Sequence, residues 1–175
     1  MDRERILVLG IGNPLMMDEG IGVRVLESLM TDYEFPDNVR LLDAGTMGMS
    51  ILGLFRECDF MLVVDAMKDT GHDPGTVVRL SAEDIAPNQV MHSLHDLRFI
   101  DVLEAAELMG CRPEAECIGV QVADMSEIRI GLTPGVEAAI PDAVDAVLAL
   151  LAERGVHGVR REGGGEPLED LRTFR

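Results

Sequence analysis

The sequence has no tryptophan, one tyrosine and five phenylalanines, so aromatics make up only 3% of its 175 residues. That scarcity argues against the stacked aromatic platforms on which single-stranded nucleic acids lie. Basic residues are scarce as well: 15 Lys and Arg stand against 32 Asp and Glu, for a formal net charge of −17. A phosphate backbone or an anionic membrane surface repels such a chain, which excludes both as its main partner. Cysteine is limited to Cys58, Cys111 and Cys117. An odd number at irregular spacing is neither a disulfide framework nor a zinc-finger pattern, and reduced thiols in a cytoplasmic protein are expected. No uncharged run approaches the roughly 20 residues that span a bilayer. The opening MDRERILVLGIGN lacks the apolar core and cleavage signal of a secretory leader.

What is present is ample aliphatic material. Hydrophobic residues make up 47%, enough for a full-sized core, and the length fits one domain. With few aromatics, that core falls to Val, Ile, Leu, Ala and the 11 methionines. The composition shifts near Gly158, where the polar, glycine-rich stretch GVRREGGGEPLEDLRTFR begins. We therefore expect a single α/β domain over 1–157 and a flexible tail over 158–175.

Strand-like and helix-like segments alternate along the domain. Ile6–Leu9, Val39–Leu42, Phe60–Val64 and Cys117–Val122 are bounded aliphatic runs of the kind buried on both faces of a sheet. Thr76–Leu80 reads as an edge strand. Glu19–Met30 has helical spacing, with Asp18 as an expected N-cap. Met47–Arg56 suits a second helix. Ser93 and Asp96 resemble a capping box opening a third, which Gly110 closes. Thr133-Pro134 opens the last, which Pro141 should kink or split. This order predicts a mostly parallel, twisted sheet with helices on both faces.

In open α/β sheets ligands bind beyond the carboxyl ends of the strands. That rule selects Asn13, Asp18 and Glu19 after the first strand, Asp43 after the second, Asp65 after the third, and His95 at the start of a helix. The loop GIGNPLMMDEG (10–20) invites a dinucleotide reading, since a glycine-rich strand-to-helix turn can cradle phosphate. The match is poor: Leu15 stands where G-x-G-x-x-G needs glycine, Asp18 and Glu19 would repel a pyrophosphate, and Asp43 lies beyond the usual spacing of about 20 residues. Glu19, Asp65 and His95 form a better set, because two carboxylates and an imidazole can hold a divalent ion and leave positions open. The same residues also fit plain structural roles, the carboxylates as charges at a helix N-terminus and His95 as a first-turn residue. Ser50 lacks the second glycine of a nucleophile elbow, and the three cysteines read as structural. The Met16-Met17 pair reads as core filler or as a mobile surface that could grip a peptide.

The segments ILVLGIGNPLMMDEGIGVRV (6–25), LLDAGTMGMSILG (41–53), VVDAM (63–67), SLHDLRFIDVL (93–103) and GVQVADMSEIRIGLTPGVEAAIP (119–141) resemble those of the [NiFe]-hydrogenase maturation endopeptidases. That family removes a C-terminal peptide from the hydrogenase large-subunit precursor. The resemblance implies a three-layer α/β/α fold around a five-stranded twisted sheet. It implies metal ligands at Glu19, Asp65 and His95, and a nickel ion supplied by the precursor rather than held by the free enzyme, although another divalent metal could occupy the site in vitro. Asp43 or Asp18 would assist proton transfer as catalytic residues. Ala44 replaces the first glycine of the family's D-G-G-T, and Arg98 stands where relatives often have a small residue. The expected partner is the precursor, met by a monomer in the cytoplasm. Two further readings are a nickel-recognising module or chaperone without peptidase activity, and a doubly wound nucleotide-binding enzyme.

Overall fold

The computed structural model of the chain describes residues 3–45, 48–81 and 99–162. In chain order they form strand β1 (Ile6–Ile11), a 3-10 turn (Met17–Gly20), helix α1 (Ile21–Asp32), β2 (Tyr33–Glu34), β3 (Val39–Gly45) and a 3-10 segment (Gly48–Glu57). There follow β4 (Phe60–Met67), β5 (Val77–Ser81), α2 (Phe99–Leu108), β6 (Glu114–Gln121), α3 (Pro134–Glu137), α4 (Ile140–Glu153) and β7 (Val159–Arg160).

The central sheet has five strands in the order β3-β1-β4-β6-β5. β1 pairs in parallel with β3 and β4, and β4 in parallel with β6, while β5 joins the edge antiparallel to β6. The chain steps outward from β1 to β3 and then returns to the other side at β4. The crevice beyond the carboxyl ends of β1 and β4 is therefore the topological switch point, where this architecture receives ligands.

Side chains alternate across the sheet with a period of two. Ile6, Val8, Phe60, Leu62 and Val64 join α1 and α4 in one buried cluster, and Leu7, Leu9, Met61 and Val63 join Ile51, Phe55, Val102 and Leu103 in the other. Two apolar layers on one sheet give the expected three-layer α/β/α arrangement. Burying each large aliphatic side chain contributes about 1.5–3 kcal/mol. β4 is buried along its whole length, which explains its unbroken apolar run.

Four local expectations change. Asp18 does not cap α1: it lies inside the 3-10 turn, and α1 begins at Ile21 with no side-chain cap. β4 runs on to Met67, so Asp65 lies within the strand rather than after it. Met47–Arg56, read as an ordinary helix, gives a 3-10 segment over Gly48–Glu57. Ordered structure also continues past Gly158, because Tyr33 and Glu34 pair antiparallel with Arg160 and Val159, and the amide of Arg161 donates to the carbonyl of Asp32 at 2.8 Å. Polar composition concealed this ribbon, since two-residue strands have no periodicity to read. Pro141 does split the final helix, standing in the first turn of α4, where its missing N–H costs nothing. Among the described residues no helix is long and apolar enough to cross a membrane.

Candidate active site

The loop after β1 turns sharply because of its glycines. Gly12 has φ +135, and a Cβ there would lie 1.9 Å from the backbone oxygen of Glu19. A Cβ on Gly22 would lie 2.2 Å from the carbonyl oxygen of Ile11 and 2.3 Å from that of Val64, so α1 rests directly on β1 and β4. The glycines that suggested a phosphate cradle are thus used for backbone contact within the chain, and that contact folds the loop back so that Glu19 stands over the sheet.

Asp18 and Glu19 are both fully buried, with no exposed surface. The two neighbours have different surroundings. Asp18 Oδ2 accepts from the amides of Ala123 and Asp124, each at 3.0 Å, and from the Thr133 hydroxyl at 2.9 Å. Its Oδ1 accepts from the Thr133 amide at 2.6 Å. Four donors around one carboxylate satisfy it and tie the 3-10 turn to the segment after β6. Asp18 is thereby an anchor, and the proton-transfer role expected of it does not fit a carboxylate so enclosed. Thr133 stands at the N-cap of α3 with Pro134 in its first turn, as expected, and gives its hydroxyl to Asp18 rather than to the helix amides.

Met17, one residue earlier, is buried and has φ +51, a left-handed backbone that is uncommon for a non-glycine residue. Its amide donates to the carbonyl of Arg129 at 2.9 Å, and Met16 forms a parallel bridge with Arg129. The Met16-Met17 pair is therefore a held turn, not a mobile surface.

Asp65 lies on the Met61 and Val63 face of β4, fully enclosed. Its Oδ1 accepts from the amide of Ala66 at 2.7 Å. Burial pushes its carboxyl up to about 7; the Ala66 amide opposes that shift, and the charge of Glu19 adds to it. The structure thus buries Glu19 and Asp65, two of the three expected ligands, near each other at the switch point. His95, like Ser93 and Asp96, lies outside the described residues. Among the described residues no group of three His, Cys, Asp or Glu is assembled for a metal ion.

Asp43 stands at the exposed end of β3, in register with Gly10, and its Oδ1 accepts from the amide of Gly45 at 2.8 Å. It belongs to the same edge of the sheet but to its solvent side. Cys58 and Cys117 are buried and free. Burial pushes the Cys58 thiol up to about 11 and the Cys117 thiol well above its usual range, so neither supplies a thiolate. The sequence gives no site role to Ala123 and Asp124, and assigns Thr133 only to a helix start, although all three lie in the longest segment behind the resemblance. Two backbone amides leave no mark on a sequence, and only Thr133-Pro134 carried a signal, which had been read as a cap.

The model of the hydrogenase maturation protease family matches residues 23–150. The chain is 42% identical over 161 residues to the hydrogenase 2 maturation protease of Escherichia coli K12, covering 90% of this chain and 97% of that protein. It is also 42% identical over 167 residues to the hydrogenase expression/formation protein HupM of Azotobacter chroococcum, covering 93% and 79%. Among solved structures, the hydrogenase maturating endopeptidase HybD from E. coli superposes with a TM-score of 0.83 at 43% identity, covering 90% of this chain and 98% of that one.

Proposed function

The chain belongs to the hydrogenase maturation protease family, and from that premise we propose that it removes the C-terminal extension of a [NiFe]-hydrogenase large-subunit precursor after nickel insertion. The observation that carries this reading is that Glu19 and Asp65, both buried, lie close enough at the switch point for the charge of Glu19 to push the Asp65 carboxyl up. Two buried carboxylates close enough to interact repel one another when both are ionised, and a divalent cation shared between them would offset that repulsion. An ion already anchored by the precursor's thiolates can be shared with such a site, whereas the free enzyme need not hold it.

In this reading Glu19, Asp65 and His95 engage the nickel carried by the precursor and thereby place the scissile peptide. An ion held there would supply Lewis-acid chemistry to the scissile carbonyl or a water, and Asp43, exposed at the same sheet edge, is the remaining candidate for proton transfer. The fold supplies the rest: the Gly12 turn holds Glu19, and Asp18 locks that turn to the far loop. The three free cysteines, two of them buried, suit a reducing compartment, and the proposed setting is the cytoplasm, with the enzyme acting as a monomer.

The test is to incubate the protein with its large-subunit precursor, nickel-loaded and nickel-free, and to detect the released C-terminal peptide by mass spectrometry. Release from the loaded precursor alone supports both protease and nickel recognition. Release from both forms retains the protease and removes the nickel requirement. Binding of loaded precursor without release would favour a nickel-recognising module instead.

A further inference from the structure

Of the six large hydrophobic residues that stand exposed among the described residues, three gather at one place. Leu15 is 51% exposed, Ile128 85% and Ile130 77%. The parallel bridge between Met16 and Arg129 joins their two segments: Leu15 precedes Met16, and Ile128 and Ile130 flank Arg129. Ile128 and Ile130 flank the bridged residue on either side, and both are exposed. This patch is held in shape. The Met17 amide donates to the Arg129 carbonyl, the Leu15 amide donates to Asn13 Oδ1 at 3.0 Å, and the four hydrogen bonds to Asp18 fasten both ends of the segment from Ala123 to Thr133. A surface with this much aliphatic exposure and this much backbone anchoring is ready to bind with little ordering cost.

We propose that Leu15, Ile128 and Ile130 form a docking rim that takes an apolar segment of the large-subunit precursor beside the bond to be cut. The proposal rests on the protease reading above. Two observations choose this occupant. The rim is continuous with the candidate site, since Leu15 and Glu19 belong to one loop and the bridged segment is the one that Asp18 ties to it. Charge disfavours a second copy of the chain, because each copy carries −17 and like charge opposes self-pairing, while Arg129 places a cation within the rim.

The test compares wild type with Ile128→Ser/Ile130→Ser, and separately with Leu15→Ser, for binding to the nickel-loaded precursor by interferometry and for release of the peptide. Leu108→Ser, at an exposed position at the end of α2, is the control. The expected result is a Kd for precursor on the order of tenfold higher or more in the rim variants, with KM rising in parallel, unchanged melting temperature, and no effect of the control. Unchanged Kd in both rim variants overturns the proposal. So does a wild-type dimer that the double variant converts to monomer while precursor binding stays intact, because the rim would then be a self-contact. If wild type binds the precursor through the rim but never cleaves it, the protease reading falls and the rim stands. If wild type neither binds nor cleaves, both fall.

Discussion

Asp59 and Asp65 stand at opposite ends of one strand of one sheet, and their carboxyl groups are driven in opposite directions. Asp59, just before β4, is open to solvent and receives Arg5 in two side-chain hydrogen bonds, at 2.7 and 3.1 Å, and one backbone hydrogen bond at 2.9 Å. Those bonds hold its carboxyl down at about 2. Asp65, near the other end, is enclosed and faces Glu19, and it is held up at about 7. The whole amino edge of the sheet follows the first pattern: Arg154 joins Glu4 at 2.7 Å, also pairs with Glu114, and lies over the ring of Phe60. At the carboxyl edge the negative groups are buried around the switch point. One edge closes the sheet with paired charge, and the other brings the buried carboxyl groups of Glu19 and Asp65 near each other. A sheet whose parallel strands end together makes this division possible, because each edge gathers the termini of several strands.

The comparison breaks hardest at Asp65. Replacing it by Asn should lower peptide release from nickel-loaded precursor by on the order of 100-fold or more, measured by mass spectrometry, while leaving the fold intact. Normal processing by Asp65→Asn would remove this residue from the site. Next comes Asp18. Its change to Ala leaves the amides of Ala123, Asp124 and Thr133 with no acceptor in a buried place, at a cost of about 3–5 kcal/mol. The melting temperature should drop by roughly 10 °C, and by less for Asp18→Asn, which keeps one acceptor oxygen.

A pH series sharpens the contrast between the two aspartates. Between about pH 4 and pH 7 Asp65 stays protonated in the native state and ionises when unfolded. Its contribution to stability is therefore complete below pH 4 and is lost as pH rises through 7. Asp65→Asn should flatten that slope in urea titrations. Asp59 has the opposite sign: its contribution is present above pH 4 and lost as pH falls through about 2. The smallest effect belongs to Arg5→Ala. An exposed pair contributes little, so the melting temperature at pH 7 should scarcely move and the change should show mainly in the acid limb. A large loss at neutral pH would mean that the amino edge does more than close the sheet.

The carbon skeleton of the fold was legible in advance because buried parallel strands leave continuous aliphatic runs. Phe60–Val64 was found on that basis, and its extension through Asp65 was not, since a carboxylate inside a buried strand contradicts the pattern used to find it. Asp65 is a buried carboxyl inside an otherwise apolar strand, and it breaks the pattern that marks the strand. The β2–β7 ribbon escaped notice because two-residue strands carry no period. Glu19 and Asp65 were selected together by the strand-end rule, which needs only the order of elements. Asp18 was selected by the same rule and given the wrong role, because its partners lie more than 100 positions away and two of them contribute only backbone N–H groups.

By itself, then, the sequence determined the layer architecture and the family, and it pointed to the carboxyl edge of the sheet for the candidate site, because these follow from periodicity and from motifs local in the chain. Tertiary structure alone decided which of two adjacent acids is an anchor and which faces Asp65, that the glycines of the first loop serve backbone contact rather than phosphate, and that three distant aliphatic residues share one rim. Each of those outcomes depends on closure between segments far apart in sequence. Burial and donor count, not residue type, then set what each carboxylate can do.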